Sequence, residues 1–436
     1  MKESPDMDVK SRFSVAARRM SRSVIRELLK LANKPGLISF AGGLPFPGTF
    51  PDRELASICE RILGDNAQVA LQYSATEGLA SFRDLLVELV NERGLSACRE
   101  ELIVTTASQQ SLDLVGKIFI DRGDIVVTEN PSYLGAISAF KAYGVRFLPV
   151  DIDEEGMKTE QLRGQLAELS AVAGSGPEYY QNMPKFIYTV PDFQNPSGVT
   201  MSLHRRQELL DIAAEYDLLI VEDVPYRWLR YRGEDVPMIA SLERGRRGET
   251  APGGIPGRTP APSRVLSLFT FSKILAPGVR LGWIIADASI IDKLVQAKQA
   301  TDLCTSAFSQ RIAEEFIRAG LLERRIAANI EIYRRRLEVM LAALEEHMPR
   351  AEGLSWAIPE GGMFLWIRLP EDIDADEMFK EAIERNVAYV IGSAFHPNGG
   401  GHNTLRLNFS YPSEEEIRKG IRRLAGLVVS RLETRR

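Results

Sequence analysis

The sequence predicts an α/β protein, a mostly parallel sheet flanked by helices, followed by a smaller domain of α+β texture. Three observations carry that prediction. From about residue 75, stretches with helical spacing of apolar residues (77–93, 109–121, 134–143, 203–216) are interleaved with short apolar runs. Those runs show little polar alternation, which marks strands buried on both faces; they are LIVTTA from 102, DIVVTEN from 124, VRFLPV from 145, KFIYTV from 185, DLLIVED from 217, RVLSLFT from 264 and LGWIIA from 281. Strands that alternate with helices build βαβ units and hence a parallel sheet. After about residue 288 the texture changes to long charged helices and short strands, which places a C-terminal domain from about 306.

The elements follow in order. Residues 1–20 are polar and basic, and 22–32 (RSVIRELLKLA) carry apolar residues at helical spacing. ISFAGGLPFPGTFP, dense in Gly and Pro, is expected to be a loop of fixed shape. Two stretches break the later alternation, 172–184 and 244–264, and the second reads as a solvated surface insertion rather than a basic patch. Helices are expected at 288–302, 305–319, 322–347 and 413–433, with strands near 354–358, 363–369, 387–391 and 404–409.

Composition bounds the function. A chain of 436 residues with 44% hydrophobic and 26% charged content is an ordinary globular protein that needs no disulfide or metal staple. Its length alone suggests two or three domains. A net charge of −5 offers no global attraction to nucleic acid or to an anionic membrane. Cys59, Cys98 and Cys304 form no CxxC pair, and His204, His347, His396 and His402 form no HExxH arrangement, so no metal site is expected. MKESPDMDVKSRFS has no apolar signal core, and no run of 18 uncharged apolar residues exists. A cytoplasmic protein is the expectation.

The chemistry concentrates at the ends of the apolar runs. LSLFTFSKILAPGVRLGW (266–283) leads a strand into Thr270, Ser272 and Lys273, with Arg280 seven residues beyond the lysine. A lysine at the end of a buried strand is costly unless paired or neutral, and a desolvated lysine is what Schiff-base chemistry requires. Taken alone, it reads first as a strand-end lysine reaching solvent, and only the residues around it reverse that. The two hydroxyls with Arg280 suit a phosphate group. DLLIVEDVPY ends with Glu222, Asp223 and Tyr226; open α/β sheets bind ligands beyond the carboxyl ends of their strands, and a carboxylate there can hold a proton on a pyridine nitrogen. In PDFQNPSG, Asn195 is held in a turn by Pro196. Ser108 and Gln109 open a helix after LIVTTA, where the free N–H groups favour an anion. Tyr133 follows the next strand and is placed to stack on a planar ring. Arg406 lies inside a strand-like run and calls for a carboxylate partner.

As an ordered set, Ser108-Gln109, Tyr133, Asn195-Pro196, Asp223 with Tyr226, Ser272-Lys273, Arg280 and Arg406 resemble the class I/II, fold-type I pyridoxal phosphate-dependent aminotransferases, from about residue 22 to 433. IRELLKLANKPGLISFAGGLP resembles the N-terminal segment of the 2-aminoadipate and kynurenine aminotransferase group. The resemblance implies that Lys273 is the Schiff-base lysine and proton shuttle, and that Asp223 pairs with the pyridinium nitrogen. Asn195 and Tyr226 would bond the phenolic oxygen, and Tyr133 would stack on the ring. Ser108, Gln109, Thr270, Ser272 and Arg280 would hold the phosphate. Arg406 would clamp the substrate α-carboxylate together with Asn195. Gly43 and Leu44 would line the substrate pocket, and Arg26 would pair with a distal carboxylate. Tyr73 would reach the site of a neighbouring subunit, which implies a homodimer with shared active sites. A large domain at 46–305 and a small domain combining 1–45 with 306–436 follow from the same resemblance.

The implied activity is transfer of an amino group from an L-amino acid to a 2-oxo acid such as 2-oxoglutarate. A β-lyase, decarboxylase or racemase of the same fold is the first alternative. An aminotransferase-like transcription regulator is the second, disfavoured because about 20 residues precede Arg22. Two departures stand out. Val224 occupies a position that is acidic in much of the group, and the 244–264 insertion is long.

Overall fold

The computed structural model describes residues 8–20, 36–248 and 262–434. Arg26, the helix expected over 22–32 and most of the 244–264 insertion therefore lie outside the described residues. The short strand β1 (Ile38–Ser39) comes first. It is followed by β2 (Leu102–Thr105), β3 (Ile125–Asn130), β4 (Arg146–Asp153), β5 (Gly156–Met157), β6 (Phe186–Thr189), β7 (Leu219–Asp223), β8 (Val265–Thr270) and β9 (Gly282–Ile285). These last eight form one sheet in the order β2-β9-β8-β7-β6-β3-β4-β5. Strands β4, β3, β6, β7 and β8 run parallel, and β9 and β5 run against their neighbours.

The burial behind this sheet is what most of the apolar runs predict; β4 departs from it, with only Val150 buried along its length. β2, β6, β8 and β9 are buried at every position, so both faces are covered. Helices pack on both sides, among them Ala107–Phe119, Leu134–Tyr143 and Leu203–Glu215. The side chain of Ser202 caps the last of these by accepting from the Arg205 amide. Trp283 of β9 is fully buried and stacks on Phe269 of β8 with centroids 4.9 Å apart.

A second sheet contains β10 (Ser355–Trp356), β11 (Phe364–Arg368), β13 (Val390–Ile391) and β14 (Thr404–Asn408), antiparallel in the order β10-β11-β14-β13. Strand β12 (Val387–Ala388) pairs parallel with β1. The Phe40 amide donates to Ala388 O at 2.8 Å, and the Asn408 amide donates to Phe40 O at 2.9 Å. The early chain is thus stitched to the late chain, and the loop after β1 is carried over the end of the large sheet. The fold is the expected one: a mostly parallel central sheet with flanking helices, plus a smaller antiparallel sheet.

Several helices have no counterpart in the sequence reading: Asp52–Ala70, Thr159–Val172, Ile239–Arg246 and Ala375–Glu384. The 172–184 stretch, expected only as a break, holds a short helix at Pro177–Asn182. Asp52–Ala70 buries little beyond Ile58, Ile62 and Ala70. A face that narrow is easily missed among exposed charges. No described helix is long and apolar enough to cross a membrane.

Candidate active site

Chain order reverses between β3 and β6: β4 lies outward on one side of β3, while β6, β7 and β8 extend on the other. Ligands in open α/β sheets bind outside the strand carboxyl ends at such a switch point. The loops leaving β2, β3, β6, β7 and β8 carry Ser108, Tyr133, Asn195, Tyr226 and Lys273. All of these line one cavity of about 320 Å³, together with Gly43, Gln109, Asp223, Thr270, Ser272, Arg280, Phe364 and Arg406.

Strand pleating separates the two acids that end β7. Glu222 accepts from the amides of Ile239 (2.7 Å) and Ala240 (3.3 Å) at a helix start, and from Ser267 Oγ (3.1 Å). Asp223 lines the cavity instead. Its Oδ2 accepts from the Tyr188 hydroxyl at 2.8 Å, and its Oδ1 is buried with no hydrogen-bond partner. Burial raises the Asp223 carboxyl to about 7, against the Tyr188 bond, which favours the anion.

Lys273 extends from the end of β8, and its Nζ donates to Gly43 O at 2.8 Å. Burial, then the positive charges of Arg406 and Arg280, bring its amine down to about 8. Arg406 is 1% exposed. It donates to Asn195 Oδ1 (2.9 Å), Ala41 O (3.2 Å) and Gly42 O (3.4 Å), and its guanidinium lies 4.1 Å from the Phe364 ring centroid. Its Nε is buried without a partner. Asn195 Nδ2 in turn donates to the Tyr226 hydroxyl at 3.3 Å. Tyr226, Asn195 and Arg406 therefore form one hydrogen-bonded chain.

At the other end of the cavity, the Thr270 and Ser272 hydroxyls lie 2.9 Å apart, and the Ser272 amide donates to Thr270 Oγ1 at 3.1 Å. Arg280 has φ +56° and Ala107, at the start of the Ala107–Phe119 helix, has φ +62°. Two non-glycine residues in the left-handed region lining one small cavity mark strain stored at a functional site. With the helix N-terminus beside them, these groups make an anion cradle.

Leu44, expected in the substrate pocket, is 48% exposed and does not line this cavity; Tyr73, expected to reach a neighbouring subunit's site, is 77% exposed and does not line its own. Three residues were missed. Tyr188 is one; its signal was a tyrosine in a fully buried strand, whose hydroxyl must find a partner. Glu129, at the end of β3, accepts from Thr189 Oγ1 (2.5 Å) and Gln194 Nε2 (3.0 Å), and Gln194 also donates to Pro131 O (2.8 Å). This pair ties the loop bearing Tyr133 to the loop bearing Asn195. Gly135 is the third. A Cβ there would sit 2.5 Å from the Tyr133 ring, so the absence of a side chain lets that ring lie over the helix start.

The class I and II aminotransferase family model matches residues 50–424. The chain belongs to the class I and II aminotransferases. This aminotransferase is 46% identical over 425 residues to an aromatic-amino-acid aminotransferase of Thermococcus litoralis, covering 97% of this chain and 95% of that protein. It is 41% identical over 412 residues to a 2-aminoadipate transaminase of Thermus thermophilus, covering 94% and 95% of the two chains. The crystal structure of Pyrococcus horikoshii kynurenine aminotransferase superposes with a TM-score of 0.88 at 43% identity, covering 98% of each chain. The resemblance to the 2-aminoadipate and kynurenine group is thus borne out.

Proposed function

We propose that this aminotransferase moves the amino group of 2-aminoadipate, glutamate, or an aromatic or branched-chain L-amino acid to a 2-oxo acid such as 2-oxoglutarate, in ping-pong fashion. Pyridoxal 5′-phosphate is the cofactor; when bound it supplies an electron sink for the pair left on the substrate Cα. The residues fit it, because a buried carboxylate oxygen of Asp223 stands unpartnered in a cavity whose far end is an anion cradle. The observation that carries the reading is the convergence of Lys273, Asp223 and Arg406 on that one cavity.

Each residue acts through its own chemistry. Lys273, its amine near neutrality, anchors the cofactor and then moves the Cα proton. Asp223 holds a proton on the ring nitrogen. Asn195 and Tyr226 bond the ring's phenolic oxygen, and Tyr133 covers the ring. Ser108, Gln109, Thr270, Ser272 and Arg280 hold the phosphate. Arg406 clamps the substrate carboxylate, positioned by Asn195 and backed by Phe364. Gly43, in the cavity lining, contacts substrate, and Arg26 reads a distal carboxylate.

The division into 46–305 and 1–45 with 306–436 is supported by the pairing of β1 with β12. A homodimer sharing its sites is supported by the exposure of Tyr73. A cytoplasmic setting is supported by three free, separate cysteines.

The purified protein is expected to retain pyridoxal phosphate, read by its absorbance, and to form glutamate from 2-oxoglutarate with an amino donor. Lys273→Ala is expected to lose both. A wild-type protein that binds no pyridoxal phosphate would refute the proposal. A donor panel run with wild type and Arg26→Ala tests the acidic preference: selective loss of acidic donors supports it, and equal loss for all donors removes it.

A further inference from the structure

We propose that Tyr188 is a positioning residue for the cofactor nitrogen, holding one oxygen of Asp223 so that the other is aimed at the ring. This rests on the assignment of Asp223 above and extends it to a residue with no assigned role. Tyr188 lies on β6 and Asp223 on the adjacent β7, whose pairing sets Tyr188 against Val221, two residues before the acid. Its hydroxyl lies 2.8 Å from Oδ2. The ring is fully buried and braced edge-on by Phe140 at 5.7 Å, so it has little freedom to turn away. Among the described residues Tyr188 is the only group that hydrogen-bonds the Asp223 carboxylate.

A buried carboxylate with one donor is under-satisfied, and a ring N–H supplies the missing bond. The tyrosine therefore does two things. It selects which oxygen is free, and it favours the ionised form that burial opposes. The other titratable groups around Asp223 are Glu129 from β3, Tyr133 and Tyr226, with Lys273, Arg280 and Arg406 along the same cavity. None of them is altered by Tyr188→Phe, which removes a hydroxyl and keeps the packed ring.

The test is cofactor affinity, measured by refilling apoprotein with pyridoxal phosphate from pH 6 to 9. If only the ionised Asp223 pairs with the ring nitrogen, affinity follows the ionised fraction of the apoprotein. Raising that pKa by one unit then costs about tenfold below it and nothing well above it. Tyr188→Phe is expected to lose roughly tenfold or more in affinity at pH 6, the loss fading toward pH 9, with unfolding unchanged on the scale of a core defect. In an Asp223→Asn background, where the side chain does not titrate, Tyr188→Phe should change the affinity by less than about twofold. A loss that is the same at every pH, or one that persists in the Asp223→Asn background, would show a merely structural tyrosine and overturn the proposal, as would wild-type affinity throughout. Failure of the wild-type protein itself to take up pyridoxal phosphate would instead bring down the functional reading on which it rests.

Discussion

Lys273 sits where the cost of burying charge is turned to use. Its amine is shifted to about 8 by burial and by the guanidinium groups of Arg406 and Arg280, so its neutral, nucleophilic fraction grows as pH rises through 8. Uptake of pyridoxal phosphate by apoprotein should accelerate over that range and level off above it, as stopped-flow absorbance can follow. As the proposed carboxylate clamp, Arg406 makes a different demand, since two parallel N–H bonds to a carboxylate need a planar fork. Arg406→Lys keeps the charge and loses the fork. It should lower kcat/KM for amino donors on the order of tenfold or more while leaving the resting absorbance in place. Lys273, Asp223 and Arg406 were legible in the sequence because a charge inside or ending an apolar run demands an explanation. Tyr188, Glu129 and Gly135 were not singled out, because a tyrosine in a strand, an acid before Asn-Pro and a glycine early in a helix each have ordinary local explanations.

At the level of elements, the site depends on turns that are pinned from below. Asp192 opens the turn that presents Asn195 and is fully buried between Arg206 (2.8 Å) and Arg227 (3.1 Å). Burial alone would raise its pKa, but the two guanidinium groups hold it below the ordinary carboxylate range. Asp192→Ala leaves two buried cations without their shared anion and should cost about 3–5 kcal/mol, read from the denaturant midpoint at constant m-value. On the β3 side, the Glu129–Gln194 pair performs the same service without a cation. The central strands were readable because their runs are buried on both faces, whereas β4 is buried only at Val150. Helices such as Asp52–Ala70 were not readable, because the apolar residues of that segment bury only a narrow face among exposed charges and it is held by tertiary contact. The left-handed backbone at Ala107 and Arg280 was also beyond reach, since neither residue type prefers it.

The molecule as a whole presents Tyr73 and Leu71 far into solvent, 77% and 68% exposed. With the proposed shared sites, sedimentation should give twice the chain mass of 48.6 kDa. Mixing Lys273→Ala with Tyr73→Phe subunits should restore part of the activity each lacks, because one site in each mixed dimer then has both residues. A monomer at working concentration would refute the shared-site reading. Layering and strand alternation were legible at this scale. How the early and late segments meet was not legible, because no local pattern announces that 38–39 will pair with 387–388. That pairing has a consequence for biosynthesis. The carbonyls that accept from Lys273 and Arg406 belong to residues 41–43, which are synthesised long before Arg406. A nascent chain can complete the eight-stranded sheet long before it owns Arg406, the proposed carboxylate clamp. Until residues 387–408 are made, the early segment lacks the strands it pairs with, so a product truncated before them should hold the proposed cofactor-binding elements without the proposed carboxylate clamp.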